Sequence, residues 1–158
     1  MQNNFDQFKD YIINISKKLK QIHTDEVSQK VSEEKWSYIE VLGHLIDSAS
    51  NNHNRFILGQ LQDNLVFYGY AQDFWVKSQN YQEADWNQLI DLWKLYNLHL
   101  VHVFQNIPET IRNKKYNVHN FNKIAWRPVP ITEPVDLNYL IEDYINHLKH
   151  HINQIIKE

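Results

Sequence analysis

Apolar residues recur along most of the chain at intervals of three and four, the spacing of one face of an α-helix. Phe5, Phe8, Ile12, Ile15 and Leu19 share one side of a first segment, which predicts a helix from Phe5 to Ile22. A polar connection, HTDEVSQKVSEEK, follows with room for a short helical turn. A second helix is predicted from WSYIE to Leu61. Ser37 is its N-cap, and Glu40 three residues later completes a capping box. A third runs from the N-cap Asp85 to Asn106, where Ile-Pro-Glu ends it. A fourth starts after Thr132, takes Pro134 in its first turn, and continues to Ile156. Between them lie two long irregular stretches. QDNLVFYGYAQDFWVKSQNYQ is aromatic and reads as a loop or short helix, and TIRNKKYNVHNFNKIAWRPVPITEP carries most of the prolines. The pattern predicts an all-α protein: one domain over residues 1–158, a four-helix bundle with long irregular connections.

Composition narrows the chemistry. The 158 residues suffice for one ordinary domain with a real core. With no cysteine, disulfides, thiolate metal sites and cysteine nucleophiles are excluded, so a metal must be held by His, Asp or Glu. The net charge is −3 without a basic block, which argues against nucleic acid as partner. No apolar stretch is long enough to span a bilayer and the N-terminus lacks a signal-peptide pattern, so a cytoplasmic location is expected.

On the last helix, EDYINHLKHHINQI, the apolar stripe is Leu137, Ile141, Leu148, Ile152 and Ile155. His147 and His151 lie one turn apart at its border, whereas His150 points further away. Two imidazoles at i, i+4 can reach one ion, or can simply be boundary residues. The second helix has a comparable edge. Beside Leu42, Leu45, Ala49 and Phe56 run His44, Asp47, Ser48, Asn51 and Arg55. A polar row along a core face is costly unless its members satisfy one another or meet water or an ion. His44 is either a core histidine on a backbone or hydroxyl partner, or the third member of a set with His147 and His151. Three neutral imidazoles would leave a position open on a divalent ion, as catalytic sites do, and would suit zinc, nickel, iron or copper. His99 and His102 are expected to edge a packing face, His53 to be exposed, and His23 and His119 to lie in solvent-facing connections.

KWSYIEVLGHLIDSASNNHNRF, followed far downstream by DYINHLKHHINQI, resembles the DinB-like superfamily, in particular its YfiT-type metal-dependent members. FYGYAQDFWV is similar to the aromatic loop of these proteins. The resemblance implies a four-helix bundle, often homodimeric, with a divalent metal, zinc or nickel first and iron next, on His44, His147 and His151. It implies a thiol-dependent transferase joining a low-molecular-weight thiol to an electrophilic small molecule. The alternatives are a metal-dependent hydrolase and a non-catalytic stress protein that binds a metal or ligand. Within that reading Asp47 orients a histidine or moves a proton. Asn51 and Arg55 bind a carboxylate of the thiol cosubstrate, a structural ion pair being the alternative for Arg55.

Overall fold

A computed structural model describes residues 2–156, with side chains described for residues 4–156. Eight α-helices are present among them: α1 (Gln2–Leu19), α2 (Thr24–Val27), α3 (Tyr38–Leu58), α4 (Gln72–Ser78), α5 (Trp86–Asn106), α6 (Glu109–Arg112), α7 (Phe121–Ile124) and α8 (Leu137–Ile155). A 3-10 turn spans Tyr81–Glu83. The four long helices form the bundle: α1 packs on α5, α5 on α3, and α3 on α8. Their apolar stripes make a common core, in which Ile12, Leu42, Phe56, Trp93, Phe104, Leu137 and Leu148 are fully buried. No described helix is long and apolar enough to cross a membrane.

Capping chemistry fixes the helix starts. Ser37 donates its backbone N–H to Glu40 Oε2 at 2.8 Å, one arm of the expected box. Asp85 accepts from the Gln88 N–H at 2.8 Å, as the sequence predicts. The last helix differs from expectation. It begins at Leu137, capped by Asp136, which accepts from the Tyr139 N–H at 2.8 Å. Pro134 lies outside it, because Val135 is held extended by paired backbone bonds to Tyr116 at 2.8 and 3.1 Å. The first helix stops at Leu19, whose carbonyl accepts from the Trp86 indole N–H at 3.1 Å. The second stops at Leu58 rather than Leu61. There Gly59 sits where a Cβ would come within 2.7 Å of Leu137, so the end of α3 and the start of α8 meet closely.

The irregular stretches are tied together rather than loose. Leu65 donates to the Val118 carbonyl at 2.9 Å, forming an isolated parallel bridge between Leu65 and His119. The Asn120 amide bonds both backbone groups of Phe67, at 3.1 and 2.7 Å. His119, expected in solvent, is buried: its Nε2–H donates to the Glu133 carbonyl at 2.8 Å and its Nδ1 accepts from the Phe121 N–H at 3.1 Å. It replaces backbone pairing that an irregular segment lacks. The paired stretches cover one end of the α3–α8 contact.

Candidate metal centre

His44 stands on α3, and His147 and His151 stand one turn apart on α8. Because α3 packs on α8, residues 103 positions apart in sequence meet: His44 Nε2 and His147 Nε2 are 3.3 Å apart. One donor atom from each of the three histidines lies within 4.8 Å of the others. The ring of His44 meets those of His147 and His151 edge to face, with centroids 5.2 and 4.8 Å away. His44 is 1% exposed, and the other two are half-buried.

This arrangement suits a shared cation better than a histidine–histidine hydrogen bond. Two nitrogens on one tetrahedral ion, at a metal–nitrogen length of about 2.0–2.1 Å, are separated by about 3.4 Å. A direct N–H···N bond usually sits nearer to about 3.0 Å. The tautomers agree. His151 Nδ1–H donates to Gln154 Oε1 at 3.3 Å, leaving Nε2 as the lone-pair nitrogen. His44 directs Nε2 at the cluster, and its buried Nδ1 has no partner among the described residues; ligation through Nε2 would place the ring proton on that Nδ1. That orphan costs about 1–3 kcal/mol, which ligation through Nε2 would offset. Burial, together with the neighbouring imidazoles, pushes the pKa of His44 and of His147 down to about 3, and lowers that of His151. At neutral pH all three are uncharged donors, as a metal requires.

Two tryptophans flank the cluster. Trp36, just before α3, lies 4.8 Å from the His44 ring, and Trp126, just after α7, lies 6.1 Å from the His147 ring. His150 is exposed and packs on Trp126 at 5.2 Å, apart from the three converging nitrogens.

The other members of the α3 row separate. Asp47 is buried, and its Oδ1 accepts from the Tyr81 hydroxyl and the Gln79 amide, each at 2.7 Å. Burial raises its pKa, and Oδ2 has no partner. No hydrogen bond joins it to a histidine among the described residues, so direct orientation of an imidazole is not what the structure shows. Asn51 turns its amide onto the Asp47 carbonyl of its own helix, at 2.9 Å, and does not line the cavity beside the histidines. Asn52 occupies that place instead, accepting from Arg55 at 3.2 Å. Arg55 is 6% exposed, donates also to the Tyr68 carbonyl at 3.0 Å, and makes no ion pair among the described residues.

Arg55, Asn52 and Ser48 from α3, Asp143 and His147 from α8, and Tyr70, Lys123 and Trp126 from the irregular stretches line a cavity of about 150 Å³. Asn52 and Asp143 escaped sequence reasoning, although the signal was present. Ser48, Asn52 and Arg55 follow i, i+4, i+7, and Asp143 is one turn before His147. Of the loop aromatics, Tyr70 and Trp126 line the cavity, whereas Tyr68 and Phe74 are 97% and 68% exposed. A different group of imidazoles departs from expectation: His53 is half-buried, 5.1 Å from the His99 ring and 3.3 Å from the Tyr96 hydroxyl.

The fold and this site define an all-α bundle carrying three converged, neutral imidazoles beside a polar cavity. No family model and no curated protein matches the sequence. Among solved structures the chain is similar to YfiT from Bacillus subtilis, described as "a probable metal-dependent hydrolase with an unusual four-helix bundle topology". The TM-score is 0.74 at 18% identity, over 97% of this chain and 84% of that one. The chain therefore shares the four-helix bundle fold of YfiT.

Proposed function

We propose that His44, His147 and His151 hold a divalent metal ion and that the chain is a metal-dependent enzyme acting on small molecules. The observation that carries this reading is the 3.3 Å approach of two neutral imidazole nitrogens, one buried and one half-buried, from helices distant in sequence. All-imidazole ligation suits zinc, nickel, iron or copper, and the motif resemblance puts zinc or nickel first, with iron next. Bound at such a site with a position free, a divalent ion lowers the pKa of a thiol or a water and so supplies a nucleophile at neutral pH.

The chain's own groups then have distinct tasks. The imidazoles stay deprotonated because burial suppresses their charged form. Arg55 binds the anionic end of a cosubstrate, helped by Lys123, and Asn52 fixes the guanidinium. Trp36 and Trp126 shield the centre from bulk water. Asp47 Oδ2 is a place to hold a proton, since burial favours its protonated form. The nucleophile we favour is a low-molecular-weight thiol, transferred to an electrophilic small molecule; such thiols commonly carry a carboxylate, and the cationic recess suits one. A second reading, attack by water on an ester or amide, is favoured by the description of YfiT. A non-catalytic metal- or ligand-binding stress protein is the remaining reading. The exposed Tyr68 and Phe74 are compatible with a homodimer.

Elemental analysis of purified wild type, His44→Ala, His147→Ala and His150→Ala tests the centre. Metal is expected in wild type and His150→Ala and lost in the other two; equal content in all four refutes the assignment. Turnover of an activated aryl halide by metal-loaded protein, only when a thiol is added, supports transfer. Ester or amide cleavage without thiol supports hydrolysis, and neither activity supports the binding reading.

A further inference from the structure

Oppositely charged side chains from two helices line the cavity beside His147. Arg55 on α3 and Asp143 on α8 are 6% and 7% exposed, and both line it. Asp143 feels the Arg127 cation first and Arg55 next, yet no ion pair joins Asp143 to Arg55 among the described residues. Among the described residues the Arg55 guanidinium bonds only neutral oxygens, Asn52 Oδ1 at 3.2 Å and the Tyr68 carbonyl at 3.0 Å. Asp143 accepts the backbone N–H groups of Trp126 and Arg127, each at 2.8 Å, which fix its carboxylate and leave lone pairs free. A buried charge is costly without a partner in contact, and here both charges face the same small space.

We propose that this recess binds the zwitterionic head group of an α-amino acid, its carboxylate on Arg55 and its ammonium on Asp143. Size supports the choice. A cavity of about 150 Å³ holds a benzene-sized molecule of about six heavy atoms. The amino, α-carbon and carboxylate atoms of an amino acid fit within it. Exposed Lys123 at the rim adds a further cation for the carboxylate. His147 lines the same space, so the side chain of the bound molecule would extend toward the histidine cluster. An amino acid with a short nucleophilic or electrophilic side chain is thus the substrate class. The proposal deepens the enzymatic reading and rests on it for the ligand's fate, though not for its binding.

The test is calorimetric titration of the chelator-treated protein with L-alanine, propionate, ethylamine and N-acetyl-L-alanine. L-Alanine is expected to bind about tenfold or more tightly than each of the others, since each lacks one charge-assisted bond. Asp143→Asn should abolish the preference of L-alanine over propionate, and Arg55→Gln should weaken both. The wild-type ligand series stands even if a variant does not fold. Propionate binding as tightly as L-alanine, or no binding of either, overturns the proposal. Because the titration is done without metal, loss of the metal-dependent reading would leave its outcome unchanged, and the reverse holds as well.

Discussion

Mild acid should strongly destabilise the metal-free protein. The perturbation is a drop in pH from 7.5 to 5.0 after treatment with chelator. His44 and His147 have folded pKa values pushed down to about 3, against an unfolded value of about 6.5. Between those limits the unfolded chain binds protons that the folded chain refuses, so stability falls as pH falls. Each histidine contributes a slope of about 1.4 kcal/mol per pH unit below its unfolded pKa. From pH 6.5 to 5.0 that is about 2 kcal/mol each, or on the order of 4 kcal/mol for the pair. A domain of this size has about 5–15 kcal/mol in total, so the loss is large. His151 and His53, also lowered, act in the same direction. Asp47 and Asp143 act oppositely, because burial raises their pKa and protonation relieves them. The assay is urea denaturation at pH 7.5, 6.5, 5.5 and 5.0, for wild type and for the His44→Gln/His147→Gln double variant, which cannot titrate at these positions. Wild-type stability should fall steeply below pH 6.5 and the variant's curve should be flatter. Parallel curves for the two proteins would show that these imidazoles are not held neutral by the fold, and the donor argument would fail with them.

Other outcomes follow from the same coordinates. Zinc or nickel at one hundred times its dissociation constant should stabilise the protein by about 2.7 kcal/mol at pH 7.5, with the gain shrinking below pH 6 as protons compete, measured by thermal melts with and without metal. Gly43→Ala should cost at least 1–3 kcal/mol, roughly the penalty of overpacking. Its new Cβ would lie 2.2 Å from the Tyr81 ring, and displacing that ring takes the hydroxyl off Asp47; a melting temperature equal to wild type would contradict this packing. His119→Ala should destabilise by about 2–3 kcal/mol, because the Phe121 N–H and Glu133 carbonyl lose their partner. Its metal content should stay at the wild-type level, since His119 is not among the three converging imidazoles.

The helices were legible because their signals are local. The stripe from Phe5 to Leu19, the Asp85 cap and the row beginning at His44 depend on residues within a turn or two of each other, and periodicity records them. The pairing of His147 with His151 was legible for the same reason. That both would meet His44 was an inference from residue type and resemblance, since 103 positions separate His44 from His147. Only the packing of α3 on α8 decided it. Packing also decided between Asn51 and Asn52, which differ by one hundred degrees around the helix: both donate to the carbonyl one turn back, but Asn52 also accepts from Arg55 and lines the cavity, whereas Asn51 does not line it. No periodic pattern surrounds His119, so its sequence context points to solvent, whereas its burial comes from partners across an irregular fold. The sequence determined which stretches are helical and which faces seek the core, since hydrophobic burial needs only the right side chains at the right period. The tertiary structure decided what converges beside the core and which charges share a cavity, because those depend on contacts between segments that no local rule connects.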